Sequence, residues 1–422
     1  MLATPELLQE SAQTERLFTE LSRCAGQVPL YRNLKSHLLE SSFSSVHLAG
    51  IPFITKSDIR SGFPANFLGT SVELDSLLEA EALELEHTSG TSEERTALLL
   101  PKGWWARQEL AALNLNGNAA ELFRRNPAAK RATINSPVCS GDIRYNGVPS
   151  RDNRVVGNSL FVSLSRFPFL WGEKELARIA GEILEWQPEF LDVDPVYGVV
   201  FALYCERNNI RFAGLRFVLC SYEFVSVVHR AILERVFGVP VLDLYGSTET
   251  GHLMVQDDSG EMRSSLETAF LEVVNTDSRG VGELVVSTLT NPIMPLLRYR
   301  IGDLVERIER PYGARYLLHG RKADAFILRD QNRVTTREVD QCFAGIEGVA
   351  HYQLIERAGV PWLLRFVSDA GGVSPANRAE LRERISRVLS AAAPIEIQKV
   401  DIIAPEQSGK FRLGCPVRRA AG

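Results

Sequence analysis

The 422-residue chain has no paired-cysteine motif. Its six cysteines (Cys24, Cys139, Cys205, Cys220, Cys342, Cys415) are scattered with no Cys-x-x-Cys among them. That excludes a disulfide frame or a zinc knuckle and fits reduced thiols. No apolar run is long enough to span a bilayer. Positive charge is not in excess: 47 Lys and Arg stand against 52 Asp and Glu, a formal net charge of -5. Neither nucleic acid nor a polybasic membrane contact is therefore expected. Gly-x-Ser-x-Gly is missing and the seven histidines show no matching arrangement, which disfavours a serine hydrolase or acyltransferase. There is no internal repeat and no low-complexity tract. The first stretch, MLATPELLQESAQTERLF, is acidic and helical in pattern, unlike a signal peptide, so a cytoplasmic protein is expected.

What is present is ordinary in bulk and particular in places. Apolar residues make up 45% and charged residues 23%, and the length suits a substantial core in more than one domain. The chain is organised around LEHTSGTSEERTALLL at 85–100, where Thr88, Ser89, Gly90, Thr91 and Ser92 precede an apolar run. Gly90 permits close backbone approach, and hydroxyls with exposed amides suit phosphate oxygens. A polar turn between two strands explains the same residues, and no Gly-Lys-Ser/Thr follows to make a Walker loop.

Residues 1 to about 45 have helical spacing. In IPFITKSDIRSGFP, Ser57 or Asp58 is placed to cap a short helix after an extended segment. PKGWWARQELAALNLNGNAAELF reads as a helix beginning near Trp104. From Ala132 to about Phe237, short apolar runs alternate with helical ones, which predicts helices on a largely parallel sheet. VPVLDLYGSTET ends a strand in a polar turn, the place where open α/β sheets bind ligands. A strand-rich part follows, and beyond HGRKADAF a compact unit of strands and helices closes in SGKFR.

Five stretches stand in one order: HTSGTS at 87–92, YGSTE at 245–249, LRYRIGD at 297–303, HGRKAD at 319–324 and SGKFR at 408–412. Together with IPFITKSDIR, they resemble the adenylate-forming superfamily of acyl-CoA synthetases, adenylation domains and luciferases, nearest its phenylacetate-CoA ligase branch. The resemblance implies an α/β fold, with a large multi-sheet N-terminal adenylation domain at 1–320 and a small mobile α+β C-terminal domain at 321–422. It implies an AMP-forming ligase that uses ATP and Mg²⁺ to activate a carboxylic acid, aromatic or arylacetic by analogy. In the family the hydroxyl-rich loop, here Thr88 to Ser92, wraps the β- and γ-phosphates. Tyr245, with Gly246 and Ser247, matches the adenine contact, Thr248 the α-phosphate hydroxyl and Glu249 the Mg²⁺ ligand. Asp303 and Arg321 match ribose contacts, and Glu223 in SYEF sits where relatives carry Gly-x-Glu beside the adenine. Lys410 matches the mobile lysine that reaches the α-phosphate and the substrate carboxylate. Two anions react in this chemistry, so positioning and positive charge dominate it.

Each residue also has a plain reading: packing for Tyr245, a cap for Glu249, a turn for Asp303, surface charge for Arg321 and Lys410. The five stretches in order favour the ligand site. Departures bear on the acceptor and the phosphate end. Glu93 and Glu94 stand where the family has Gly and Lys, and carboxylates repel a triphosphate unless turned away. Ala323 takes the usual hinge position, and Asp330 stands where thioester-forming relatives carry Gly beside the pantetheine path. The acceptor is therefore CoA, an amine or a carrier-protein thiol, with an amide-forming or carrier-loading ligase as the alternative; a homodimer is allowed. A nucleotide-binding protein that no longer adenylates is the rival from another class. FPFLW at 167–171, Trp104, Trp105, Tyr222 and Phe224 suit either an aryl pocket or the core. Only His252 lies near the Tyr-Gly motif, so no structural zinc is expected.

Overall fold

The computed structural model describes residues 5–34, 48, 50–69, 73–88, 95–137, 150–311, 313–390 and 394–417, with side chains from residue 12 onward. The fold is mixed α/β, with a multi-sheet body and a small C-terminal α+β domain. By packing, the chain divides into two units: Met1–Gly117 with Leu244–Leu317, and Asn118–Asp243 with Leu318–Gly422. Among the described residues no helix is long and apolar enough to cross a membrane.

The first unit opens with the helix Pro5–Gln27 and a 3-10 turn, Pro29–Leu34. The short helix Lys56–Arg60 begins two residues earlier than a Ser57 cap, and three earlier than an Asp58 cap, would place it. Thr55 is its N-cap, and Asp58 accepts from both the Thr55 amide (2.8 Å) and the Thr55 hydroxyl (2.7 Å). Strands Leu83–His87 and Ala97–Pro101 form an antiparallel hairpin around the hydroxyl-rich loop. The helix Trp104–Leu113 starts as expected, but the expected single helix is two, the second being Gly117–Arg125. Asn114 and Asn116 interrupt it, because a short amide side chain competes with the helix for backbone partners; Asn116 Nδ2 donates to the Gln256 carbonyl at 2.9 Å. The rest of the unit is a run of antiparallel pairings from Val241–Ser247 through Gly251–Gln256 and Met262–Ser264 to Arg315–Arg321, with Ala269–Val274, Val281–Thr288 and Tyr299–Ile308 beyond.

The second unit holds the parallel sheet predicted from the alternating pattern. Ser159–Phe161, Arg131–Ile134, Phe190–Val193, Phe217–Cys220 and the start of Val241–Ser247 pair in parallel in that order. Helices Glu173–Trp186, Pro195–Arg207 and Val227–Phe237 bury Ile179, Ile183, Phe201 and Leu233 against it. Asp194 caps the second of these, accepting from the Val196 amide at 3.0 Å with Pro195 at the first turn, and Ser226 caps the third. The C-terminal part has its own core around Phe343, Tyr352, Leu364 and Ile385. Its sheet runs Ile395–Lys399, Trp362–Ser368, Val349–Ile355, Gly414–Cys415, with helices Thr336–Gln341 and Pro375–Val388. Within this unit Val349–Ile355 packs on the Val227–Phe237 helix. The His229 and His351 rings stack there, with Nε2 of one 3.1 Å from Nδ1 of the other.

Candidate active site

In the first unit, Tyr245, Gly246 and Ser247 end the Val241–Ser247 strand, and Thr248, Glu249 and Thr250 make the turn into Gly251–Gln256. The hairpin is so tight that a Cβ on Gly246 would lie 2.3 Å from the Gly251 carbonyl oxygen, so only glycine fits. The Ser247 hydroxyl meets Thr250 Oγ1 at 3.0 Å and accepts from the Thr250 amide at 3.2 Å. The Tyr245 hydroxyl donates to Asp303 Oδ2 at 2.6 Å, which joins YGSTE to LRYRIGD directly. Asp303 is buried on the Tyr299–Ile308 strand.

Glu249, in the same turn, is buried. Its Oε1 accepts from the Tyr299 hydroxyl at 3.0 Å and lies 3.0 Å from Lys56 Nζ. Burial alone would raise the carboxyl. The Lys56 ammonium, with its hydrogen bond, the residue's own amide and the Tyr299 hydroxyl outweigh that and hold it below the ordinary carboxylate range. The residue is thus an anion at neutral pH. A single ionised carboxylate of this kind fits Mg²⁺, which is usually held by one or two carboxylates plus substrate phosphates.

Lys56 and Tyr299 were not among the sequence-predicted residues, although both lie in stretches that carry the resemblance. The structure explains how they meet. Ile54 lies alongside Tyr299, with Ile54 N donating to the Arg298 carbonyl (3.2 Å) and Arg300 N to the Ile54 carbonyl (3.0 Å). The Arg298 and Arg300 guanidinium groups lie 4.2 and 4.4 Å from the centre of the Phe53 ring. Arg298 also donates to the Leu48 and Ile51 carbonyls and pairs with Glu272 at 2.9 Å. The RYR triplet therefore clamps IPFITK in place and delivers Lys56 to Glu249.

Thr88 is buried at the mouth of the hairpin; its amide donates to the Thr96 carbonyl and its hydroxyl accepts from the Thr96 amide, both at 3.0 Å. Ser89, Gly90, Thr91 and Ser92, with Glu93 and Glu94, lie outside the described residues. Trp104 is buried, donating to Thr290 Oγ1 at 3.0 Å, and Trp105 meets His252 edge-on at 4.8 Å.

The second unit carries the other predicted residues. The loop holding Lys410 is pinned from several sides: the Gln407 carbonyl accepts from Arg166 (2.8 Å), the Gly409 carbonyl from the Tyr197 hydroxyl (3.2 Å), and Glu223 Oε1 from the Phe411 amide (2.5 Å). Gly409 has φ +84°, and a Cβ there would lie 2.0 Å from Ser136 Oγ. Phe411 packs edge-on against Phe169 and His351. FPFLW thus contributes Phe169 to the seat of the lysine loop, while Trp171 packs on Tyr197 and Leu170 is exposed.

Two carboxylates face Lys410. Burial pushes Asp194 up to about 7, opposed by the Val196 and Tyr197 amides and by the Lys410 charge. Burial also pushes Glu223 well above the ordinary range, aided by the charge of Asp194 and opposed by Lys410 and the Phe411 amide. A lysine beside two buried carboxylates favours ionisation of at least one of them. Arg321 is exposed at the end of its strand. Asp324, in the following turn, pairs with Arg412 at 2.5 Å; burial raises its carboxyl against the pull of Arg412 and Arg321. Asp330 is exposed and closes its own turn, accepting from Asn332 N at 3.0 Å and Asn332 Nδ2 at 2.7 Å.

Residues 326–414 match the CapK C-terminal domain family. The phenylacetate-coenzyme A ligase of Thermus thermophilus is 25% identical over 370 residues, covering 82% of this chain and 77% of its own. That of Escherichia coli is 25% identical over 374 residues, covering 83% and 80%. Among solved structures, 2-hydroxyisobutyryl-CoA ligase in the postadenylation state, in complex with R3-HIB-AMP, superposes with a TM-score of 0.71 at 17% identity, over 99% of this chain and 91% of that one.

Proposed function

From its homology to the phenylacetate-coenzyme A ligases and its CoA-ligase fold, we propose that this AMP-forming ligase activates an aromatic or arylacetic acid with ATP. The CoA sulfur then bonds to the acyl carbon of the acyl-adenylate, the acyl–phosphate bond breaks and AMP leaves. The observation that carries the reading is the meeting of YGSTE with LRYRIGD, where Tyr245 donates to the buried Asp303 and the buried Glu249 accepts from Tyr299.

In this reading the acid's carboxylate attacks the α-phosphorus of ATP, the bond to the bridging oxygen breaks, and pyrophosphate leaves. Asp303 accepts from the ribose hydroxyls, a task for which a carboxylate has the lone pairs. Tyr245, fixed by Asp303, flanks the adenine, with Gly246 and Ser247 completing the wall and Arg321 and Glu223 as further nucleotide contacts. Thr248 offers its hydroxyl to the α-phosphate. Thr88 anchors the loop whose Ser89, Gly90, Thr91 and Ser92 take the outer phosphates. Glu249 would hold Mg²⁺, which neutralises phosphate charge when bound. Lys410 is a movable point charge for the α-phosphate and the attacking carboxylate. A small C-terminal domain that swings, with its boundary near residue 320, would bring the lysine in and take it away between half-reactions.

Pyrophosphate release with ATP and Mg²⁺ across a panel of aryl, arylacetic and fatty acids, without acceptor, tests this. Release that depends on an aryl or arylacetic acid and is lost in Lys410→Ala supports it. ATP binding with no release for any acid favours a nucleotide-binding protein that has lost activation. Transfer to amines or carrier thiols in preference to CoA would assign the acceptor differently.

A further inference from the structure

The first unit contains a cavity of about 580 Å³, lined in part by Arg16, Arg263, Arg307 and Arg315. None of the residues assigned to adenylation lines it. Three of these arginines lie on adjacent strands. Arg263 on Met262–Ser264 stands directly opposite Arg315 on Arg315–Arg321, and Arg307 is on the neighbouring Tyr299–Ile308 strand. Like charges directly opposite across strands destabilise a sheet, so such a row persists where something relieves it. Relief from the protein is partial. Arg315 pairs with Asp257 at 2.9 Å, Arg307 with the exposed Glu309 at 3.0 Å, and Arg16 donates to the Glu267 carbonyl at 2.8 Å. A surface pair like Arg307–Glu309 holds its partner weakly. Among the described residues, the Arg263 guanidinium has no hydrogen-bond or ion-pair partner. The one carboxylate on the lining, Glu267, belongs to an exposed residue.

The remaining wall mixes hydroxyls (Ser264, Ser265) with apolar side chains, among them Leu115 and Phe270. Cationic forks on one side and an apolar wall on the other, in a volume typical of small-molecule sites, define a complementary ligand. Guanidinium groups match phosphate bidentately, which a carboxylate-lined or neutral pocket would not do. We propose that this cavity is a second ligand site, for a small organic molecule carrying a phosphate monoester, with Arg263 as its central anchor and Arg307 and Arg16 released from their weak partners to close on the phosphate. The site is independent of the adenylation reading and stands or falls apart from it.

The test titrates the full-length protein with phenyl phosphate, inorganic phosphate and benzoate by calorimetry, with ATP binding measured in parallel. Phenyl phosphate is expected to bind more tightly than either of the others. Arg263→Ala is expected to weaken it at least about tenfold, since it removes a charge-assisted contact, while leaving ATP binding unchanged. Without ligand, Arg263→Ala should melt no lower than the parent, because a like-charge neighbour has gone; Arg307→Ala, at an exposed position, repeats the binding test should Arg263→Ala fail to fold. Phenyl phosphate binding that is absent, or unaltered in both variants, overturns the proposal. So does benzoate binding as tightly as phenyl phosphate.

Discussion

Glu249 stays below the ordinary carboxylate range despite burial in part through two neighbours that can each be removed, Lys56 and Tyr299. Tyr299→Phe deletes one hydrogen bond to the carboxylate and keeps the ring in the core, so the Glu249 pKa should rise toward its ordinary value. If ionised Glu249 is required for activation, the acid limb of the pH–rate profile should move to higher pH in Tyr299→Phe, with little change on the plateau. An unmoved limb would separate Glu249 from the reaction. Lys56→Ala should move the limb further, because it removes the larger favourable charge. At Lys410 the expectation is of a different kind: Lys410→Ala should lower acid-dependent pyrophosphate release at least about a hundredfold, the cost of deleting one preorganised charge, with nucleotide affinity retained. Comparable loss of nucleotide binding would show that the lysine holds the ground state instead.

At the scale of elements, the glycine before the lysine is as constrained as the lysine itself. Gly409→Ala places a Cβ 2.0 Å from Ser136 Oγ at a positive φ, so the loop must lift from its seat on Tyr197 and Glu223. Activation should fall as in Lys410→Ala, while the melting temperature changes by only a few degrees. Adding Ser136→Gly should restore part of the activity by clearing the space, and failure to do so would place the defect in the backbone angle alone. The same loop shows what the sequence makes legible. Alternating short apolar and helical runs mark the parallel sheet and its helices, since period and length are local properties. The Tyr-Gly turn, Asp303 and the glycine-flanked lysine stand out through the resemblance of the ordered stretches that hold them, each of which carries a glycine. Lys56 and Tyr299 could not, since they meet only through the pairing of Ile54 with a strand more than two hundred residues away. Asp194 was hidden for another reason: Asp-Pro before an apolar run reads as an ordinary helix cap, which it also is. The helix break at Asn114 to Asn116 depends on a carbonyl at Gln256, again a non-local partner.

For the whole molecule, buried titratable groups pull the pH dependence of stability in opposite directions. His229 is pushed down to about 3 by burial, and His351 well below its ordinary value by burial and by His229. Each therefore binds fewer protons folded than unfolded as pH falls below about 6.5, and stability declines from there toward pH 3. Asp194, raised to about 7, binds more protons folded than unfolded between its ordinary value and 7, so its burial costs stability as pH rises through that range. Asp243, also raised to about 7, and Glu223, raised well above its ordinary range, act in the same direction as Asp194, so the histidines' share is read by difference. Replacing His229 with Gln should make the denaturation midpoint fall less, or rise more, from pH 6.5 to 5 than in the parent; an unchanged difference would place that proton uptake elsewhere.

The chain threads its two units in alternation, leaving the first after Gly117, returning at Leu244 and leaving again after Leu317. A polypeptide emerging from the ribosome must therefore make the parallel sheet of the second unit while the antiparallel strands of the first are still unsynthesised. The hairpin at Leu83–His87 waits for Leu244–Leu317, and the seat formed by Ser136, Tyr197 and Glu223 stays uncovered until residues 407–411 arrive. During that interval Phe169 and Tyr197 lack the Phe411 ring that covers them, an apolar surface open to chaperones and to other nascent chains. The time taken to synthesise residues 318–411 would then set how long that surface stays open.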